Sequence, residues 1–201
     1  MTRRLLVLAF VVAGSAALAA TASSRAPGGS PLQRPFHLPH LASGAPCPVS
    51  RVDRRIPFVR RFGVGPGIGK GPAYPIIGRP AGMSTGVLEL APAKNFDSRN
   101  WAGQKVLWFV LPSYRGPVLI RGARIDGPGR VRFDRGDVPP LRIRIALHPT
   151  GGSPTSPVPP QGTRYRASYT RVRGPGCYAY QVDGTSFSRV VVFRAVWNTG
   201  Q

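Results

Sequence analysis

Residues 174–193 read GPGCYAYQVDGTSFSRVVVF and have the pattern of two β-strands joined by a turn. A Pro-Gly turn precedes an apolar strand at 177–182. Asp183-Gly184 has the composition of a tight hairpin turn, and a second apolar run at 187–196 predicts a closing strand. The chain is therefore expected to end in an antiparallel β-hairpin.

Short apolar runs of the same kind recur upstream, separated by turn residues. The composition includes 25 Gly and 23 Pro, which argues against long helices. Short strands at this spacing predict an all-β fold, mostly antiparallel, of the sandwich or barrel type. The further runs are 56–62, 74–77, 87–90, 105–111, 118–121, 130–133, 141–147 and 164–172.

Two of these runs show how their faces are used. At 141–147 every odd-numbered residue is apolar, so this strand should point Arg142 and Arg144 into solvent. The run 105–111 is apolar on both faces after its first residue, which favours a central strand covered on both sides. We expect it to turn through 112–116 and to pair with 118–121.

The closing hairpin resembles that of a group of small exported bacterial proteins in which a GCY or GCW strand precedes a final apolar strand. Residues 47–49, Cys-Pro-Val, and 117–128 are similar to other pieces of the same group. The resemblance implies an immunoglobulin-like β-sandwich and brings no known activity. A Pro-Gly lead-in to an alternating final hairpin is also common in immunoglobulin-like modules, an analogy at the level of the fold.

The first residues have the pattern of an export signal. Arg3-Arg4 is followed by an apolar run over 5–20, and small residues at 17–19 and 20–22 match the A-x-A pattern of signal peptidase sites. We expect a signal peptide at 1–22, cleaved after Ala19 or Ala22, and a secreted or cell-envelope location with no stable membrane span after cleavage. An uncleaved anchor and the twin-arginine route are the alternatives.

Cys47 and Cys177 are the only cysteines. In an exported protein an isolated pair most often forms a disulfide, with a free buried pair as the alternative. Residues 23–46 are rich in Pro and Gly and predict a flexible or extended leader with little order. We therefore place a single β-sandwich domain at 47–201, containing a long polar loop at 148–162.

Several motifs resemble catalytic signatures. Residues 82–86, Gly-Met-Ser-Thr-Gly, match the G-x-S-x-G nucleophile elbow, but a strand-like run follows Ser84 where the elbow needs a helix. A secreted hydrolase using Ser84, with His148 as the downstream histidine, is kept as the alternative function. The glycine run at 63–71 departs from the phosphate-loop and dinucleotide patterns and favours a flexible or bulged connection.

The remaining residues that could bind a metal, a partner or a substrate show no spacing typical of a functional site. His37 and His40 lie in the leader, and the histidines and cysteines lack metal-ligand spacing, so we expect no metal and no cofactor. Arg135-Gly136-Asp137 forms an Arg-Gly-Asp tripeptide that is better interpreted as a hairpin turn. No carboxylate pair suited to glycoside hydrolysis is identified among the seven acidic residues.

Positive charge is the strongest surface signal. The chain carries +21, which falls to +19 when Arg3 and Arg4 leave with the signal, and Arg outnumbers Lys by 25 to 3. Such a domain attracts polyanions such as teichoic or uronic wall polymers, anionic lipid head groups or extracellular DNA. The candidate polyanion-binding residues are Arg142, Arg144, Arg164, Arg166, Arg171 and Arg173.

Tyrosines lie among the last four of these arginines. They are Tyr165, Tyr169, Tyr178 and Tyr180, a mixture compatible with stacking on bases or sugars. The alternative is that the tyrosines fill the core beside solvated arginines. The sequence thus predicts an exported, non-enzymatic binding or structural module of the cell envelope, with no small-molecule substrate identified.

Overall fold

The structure, a computed structural model, describes residues 30–54, 66–79, 83–146 and 162–199. These residues form two stacked β-sheets, two small β-pairs and one 3-10 turn, Ala93–Phe96. The strands are β1 Val52–Asp53, β2 Gly67–Ile68, β3 Ala73–Ile76, β4 Gly78–Arg79, β5 Met83–Ser84, β6 Val87–Leu90, β7 Ala102–Val110, β8 Val118–Arg124, β9 Arg132–Phe133, β10 Arg142–Ile145, β11 Arg164–Val172, β12 Gly176–Gly184 and β13 Ser188–Trp197.

The larger sheet has five strands in the order β10-β8-β12-β13-β6, and the smaller has four in the order β3-β7-β11-β9. Every pairing is antiparallel except that of β13 with β6, which is parallel. The short pairs β1-β2 and β4-β5 are also antiparallel. The predicted all-β, mostly antiparallel sandwich is confirmed.

The core lies between the two sheets and is rich in aromatic side chains. Tyr180 of β12 meets Trp108 of β7 edge to face, with ring centroids 5.0 Å apart, and stacks on Phe193 of β13 at 4.4 Å. The Tyr180 hydroxyl also crosses the layer to the Thr170 hydroxyl of β11 at 2.6 Å. This bond satisfies two buried polar groups that would otherwise oppose folding.

The closing hairpin forms, but its turn lies later than predicted. Asp183 and Gly184 belong to β12, and Asp183 pairs with Ser188. The backbone N–H of Gly184 donates to the carbonyl of Phe187, so Thr185 and Ser186 occupy the centre of the turn. Asp183 remains in the strand because its carboxylate is buried and hydrogen-bonded there, which outweighs the turn preference of Asp-Gly.

In strand β10 Ile143 and Ile145 are buried and Arg142 and Arg144 are exposed, as predicted, whereas Leu141 just before the strand is 50% exposed and not in the core. Strand β7 is central, as predicted, between β3 and β11. The expected pairing of 105–111 with 118–121 is wrong, because β8 lies in the other sheet. The connection between β7 and β8 crosses from one sheet to the other. The two strands are neighbours in sequence, but β7 pairs with β3 and β11, whereas β8 pairs with β10 and β12.

Residues 32–50, here called the N-terminal strap, lie across the outer face of the five-stranded sheet. Gln181 bonds both the Pro35 carbonyl and the His37 N–H, and Ser50 donates its N–H to Val192. The strap is extended, and its residues 34–41 contact the sheet, which differs from the expectation of little order. Leu38 and Leu41 of the strap add apolar contacts with the sheet, which the Pro- and Gly-rich composition of this segment does not indicate.

The disulfide between Cys47 and Cys177 is confirmed. It joins the strap to the start of β12 across a sequence separation of 130 residues, with the two Cα atoms 5.5 Å apart. Around it Leu38 and Leu41 of the strap pack on Ile125 and Val192. The bridge therefore fixes a segment that the sheet also holds by hydrogen bonds and apolar contact.

Candidate polyanion-binding surface

Most carboxylates of this protein are already engaged by its own side chains. All seven acidic residues lie in the described ranges. Asp183 is buried, and three others bind arginine within 3.3 Å: Asp97 with Arg135, Asp126 with Arg124 and Asp134 with Arg166. These ion pairs neutralise only a few of the arginines, so the surface carries a large excess of positive charge.

Arg142 and Arg144 are exposed on β10, an edge strand of the five-stranded sheet. The alternation of this strand places its two isoleucines in the core, which leaves both arginine side chains on the solvent face. No ion pair engages either one among the described residues. Both side chains are exposed to solvent, as the sequence predicted.

Arg164 and Arg171 differ from the prediction because both are buried, at 4% and 0% exposure. Arg164 donates to the carbonyls of Ala146, Tyr114 and Gly116, and thereby holds the crossing connection between β7 and β8. Burial lowers the pKa of Arg164 from its ordinary value. The cost of burying a guanidinium is offset here by carbonyl acceptors rather than by water.

Arg171 is held in a similar way at the outer face of the four-stranded sheet. It donates to the carbonyls of Trp101 and Asp134, and its guanidinium lies 4.4 Å from the centroid of the Phe96 ring. Burial first, and then the charge of Arg135, lowers the pKa of Arg171. Neither Arg164 nor Arg171 can contact a polymer at the surface, so the prediction that they bind polyanions is wrong for both.

Arg166 is half-buried and committed within the protein. One of its nitrogens donates to Asp134 at 2.8 Å and another to the carbonyl of Arg144 at 3.0 Å. The same Asp134 accepts from the Ser168 hydroxyl at 2.7 Å. Arg166 therefore joins β11 to the loop after β9 and offers less positive charge to solvent than its position in the sequence suggested.

Arg173 is exposed and lies in a cleft of about 430 Å³, here called the Trp197 cleft. Arg99, Asn100 and Trp197 also line it, beside Pro92. Trp197 is 49% exposed at the end of β13, an unusual position for so large an apolar side chain. Sequence reasoning missed Arg99 and Trp197, because the fold alone brings three distant segments together.

A second concave region, here called the basic groove, has a volume of about 710 Å³. Its cationic side chains are Arg51, Lys70 and Arg189, all exposed, and no acidic residue lines it. It lies where the end of the strap meets the start of β13 and the residues after β2. The only sequence signal for these three residues was the overall charge, which does not indicate which cations lie together.

The tyrosines divide between the core and the surface. Tyr178 and Tyr180 are core residues, as the alternative reading of the sequence held. Burial raises the pKa of Tyr178, and it raises that of Tyr180 beyond the usual range of the side chain. Tyr165 and Tyr169 are half-buried, and Tyr169 lies under the Arg135 guanidinium at 5.1 Å from its ring centroid.

Ser84 lies on β5, and the backbone after it enters β6. The helix that a nucleophile elbow requires is therefore replaced by a strand. His148 lies outside the described residues, as do 63–65 of the glycine run. Within the described ranges no cluster of three or more His, Cys, Asp or Glu side chains could hold a metal ion.

Arg135-Gly136-Asp137 lies in the loop after β9. That loop is closed by a hydrogen bond from the Phe133 N–H to the Pro140 carbonyl at 2.8 Å, as a hairpin turn would be. Arg135 is occupied by Asp97 and by the ring of Tyr169. The tripeptide therefore serves as a turn in this fold.

Comparison of the chain with protein-family models, with curated proteins and with solved structures found no match.

Proposed function

We propose that this protein is an exported, non-enzymatic module of the cell envelope or its surroundings that holds anionic polymers by charge. The observation that carries the proposal is the imbalance at the surface. Carboxylates are few and mostly engaged, whereas Arg142, Arg144, Arg173 and the cations of the basic groove are exposed. Such a surface attracts polyanions with little dependence on the monomer.

The proposed sandwich is of the immunoglobulin type. If β3, β7, β8, β9, β11, β12 and β13 are taken as strands A to G in chain order, the four-stranded sheet corresponds to A-B-E-D. The five-stranded sheet then corresponds to C-F-G with β10 and β6 as additional edge strands. The Tyr178 hydroxyl donates to the Gly174 carbonyl four residues upstream, which is similar to the tyrosine corner before strand F. The disulfide departs from that type, because it joins β12 to the strap and not to β7.

Export is part of the proposal and has two supports. The first residues match a signal peptide, and the Cys47–Cys177 disulfide fits an oxidising compartment. None of the helices in the described part of the chain has the length and apolarity to span a bilayer. Intact-mass measurement on culture supernatant should find the protein beginning at Ala20 or Ser23, and a membrane-bound form retaining Met1 would contradict this.

The binding proposal is tested by retention of the oxidised mature protein on immobilised wall polymer, heparin and DNA. All three should retain it at low salt and release it at moderate salt. For DNA, about five phosphate contacts should lower the affinity a few hundredfold between roughly 50 and 200 mM salt, because each contact releases a counterion. Absence of retention at low salt, or retention by one polymer alone in high salt, would contradict binding by charge.

The basic groove provides a matched pair of variants. Replacement of Arg51, Lys70 and Arg189 by Ala removes three charges from one concave region. Replacement of Arg142, Arg144 and Arg194 by Ala removes three exposed charges from the strands of one sheet. If charge alone governs retention, both triple variants should elute at similarly reduced salt, and wild-type elution of both would contradict the proposal.

A further inference from the structure

The Trp197 cleft combines features that nonspecific attraction does not require. Three segments build it: residues 92–102, which run from the start of the 3-10 turn to the start of β7, Arg173 after β11, and the end of β13. Trp197 is 49% exposed, whereas Trp101 is 7% exposed and Trp108 is fully buried. The cleft volume of about 430 Å³ lies within the range of small-ligand sites.

The two arginines of the cleft are uncommitted to carboxylates. Neither Arg99 nor Arg173 forms an ion pair with another described residue. Arg173 instead lies with its guanidinium 5.1 Å from the centroid of the Trp101 ring, which orients the side chain without neutralising it. The cleft thus presents two planar guanidinium groups, the amide of Asn100 and one indole.

We propose that the Trp197 cleft binds a uronic acid residue of an acidic polysaccharide. The indole would stack on the apolar face of the sugar ring, and Arg99 and Arg173 would bind its carboxylate, a planar anion that a guanidinium fork can bind through two hydrogen bonds. Asn100 can donate to and accept from ring hydroxyls. This inference rests on the proposed polyanion binding and adds a preferred monomer at one position.

A nucleic acid or phosphate polymer fits the cleft less well. Single-stranded nucleic acids are held by several aromatic side chains in succession, whereas this cleft exposes one indole. Phosphate sites commonly use helix N-termini or nests of backbone N–H groups, and the one helix end at this cleft belongs to the four-residue 3-10 turn Ala93–Phe96, which is too short to provide such a site. A single carboxylated ring makes use of every polar group present.

The test uses the oxidised mature protein with tetragalacturonate as the probe, uncharged galactotetraose as the neutral control and the oligonucleotide dT4 as the phosphate control. Because Trp101 and Trp108 are buried, acrylamide quenching of tryptophan fluorescence reports mainly on Trp197. Tetragalacturonate should protect this fluorescence and galactotetraose should not. Stronger protection by dT4 than by tetragalacturonate would overturn the proposal in favour of a nucleic acid site.

Variants separate the cleft from general charge. Trp197→Ala should weaken tetragalacturonate binding about tenfold in calorimetry, with salt elution from immobilised DNA unchanged, and Trp197→Phe should restore most of the affinity. Arg99→Ala with Arg173→Ala should weaken it at least about tenfold, against less than about threefold for Arg142→Ala with Arg144→Ala, which removes equal charge elsewhere.

The outcomes distinguish the two proposals. If the column experiments succeed but the cleft variants bind tetragalacturonate like the Arg142 and Arg144 control, the cleft inference is wrong and polyanion binding stands. If no polymer is retained at low salt, the proposed function fails first. Unchanged circular dichroism and urea midpoints in each variant show that a loss of binding is not a loss of folding.

Discussion

The carboxylate of Asp183 accepts a hydrogen bond of 2.6 Å from the Arg121 guanidinium on the outer face of the five-stranded sheet. Asp183 is fully buried there, and it also accepts from the Ser188 hydroxyl at 2.7 Å and from the Gln181 amide. Arg121 also donates to the carbonyl of Arg34 in the strap. One buried carboxylate thus connects three strands with the strap that covers them.

Asp183→Ala should lower the free energy of unfolding by about 3–5 kcal/mol, because it leaves Arg121 largely buried without its counter-ion. Urea denaturation of the oxidised protein measures the change. The matched control is Asp97→Ala, which breaks the Arg135 pair between side chains 53% and 77% exposed. That change should cost far less, because ion pairs between exposed side chains contribute little to stability, and equal losses in the two variants would contradict the assignment.

Replacement of both Cys47 and Cys177 by Ser should lower the free energy of unfolding by up to about 5 kcal/mol. The reason is the long loop that the bridge closes, with a separation of 130 residues. Urea denaturation of the variant should match that of wild-type protein reduced with dithiothreitol. A variant as stable as the oxidised protein would show that the strap contacts alone determine the stability.

The lowered pKa of Asp126 predicts that the protein loses stability in acid. Burial by itself raises the pKa of this carboxyl, but hydrogen bonds from Arg124 and from the Cys177 N–H outweigh it and hold the pKa below its ordinary value of 3.8. A pKa lower in the folded state adds stability that is complete above the unfolded value and lost as pH falls through the folded one.

Urea midpoints measured from pH 6 down to pH 2.5 test this prediction. Asp126→Asn should show a smaller loss of stability over the acid range below the ordinary pKa, and Arg124→Gln should reduce the same loss in part, since the Cys177 N–H remains. An acid dependence identical to that of the wild type in both variants would contradict it.

Tyr180→Phe should cost about 1–3 kcal/mol of stability, because it leaves the Thr170 hydroxyl buried without its 2.6 Å partner. Thr170→Val combined with Tyr180→Phe removes both polar groups and should recover much of the loss. Tyr165→Phe removes the same atom from a half-buried tyrosine and should change stability by less than about 0.5 kcal/mol. Additive losses in the double variant would show that the two hydroxyls are not coupled.

The local pattern of apolar and polar residues was enough to predict the position of many strands. The runs at 87–90 and 164–172 coincide with β6 and β11, and 141–147 contains β10, whose residues 142–145 alternate between solvent and core as predicted. Alternation works there because successive side chains of a strand point to opposite faces, and only one of those faces is buried. The disulfide was equally accessible, because the chain offers a single pair of cysteines.

The same pattern failed for the arginines of β11. The sequence around Arg164 and Arg171 is typical of a strand face exposed to solvent, yet both side chains are buried. Carbonyl oxygens from distant parts of the chain accept their hydrogen bonds. A sequence does not show which carbonyls will remain unpaired near a given guanidinium. For the same reason neither the Trp197 cleft nor the basic groove could be located in advance.

The sequence by itself determined the all-β class, the cysteine pairing and the excess of positive charge, since each depends on composition or on the two-residue period of a strand. Which strands share a sheet, where the strap packs and which arginines remain in solvent became known only from the folded arrangement of the chain. Those outcomes depend on contacts between residues far apart in the chain. Arg173 and Trp197 become neighbours in one cleft only when the strands that carry them are stacked in the sandwich.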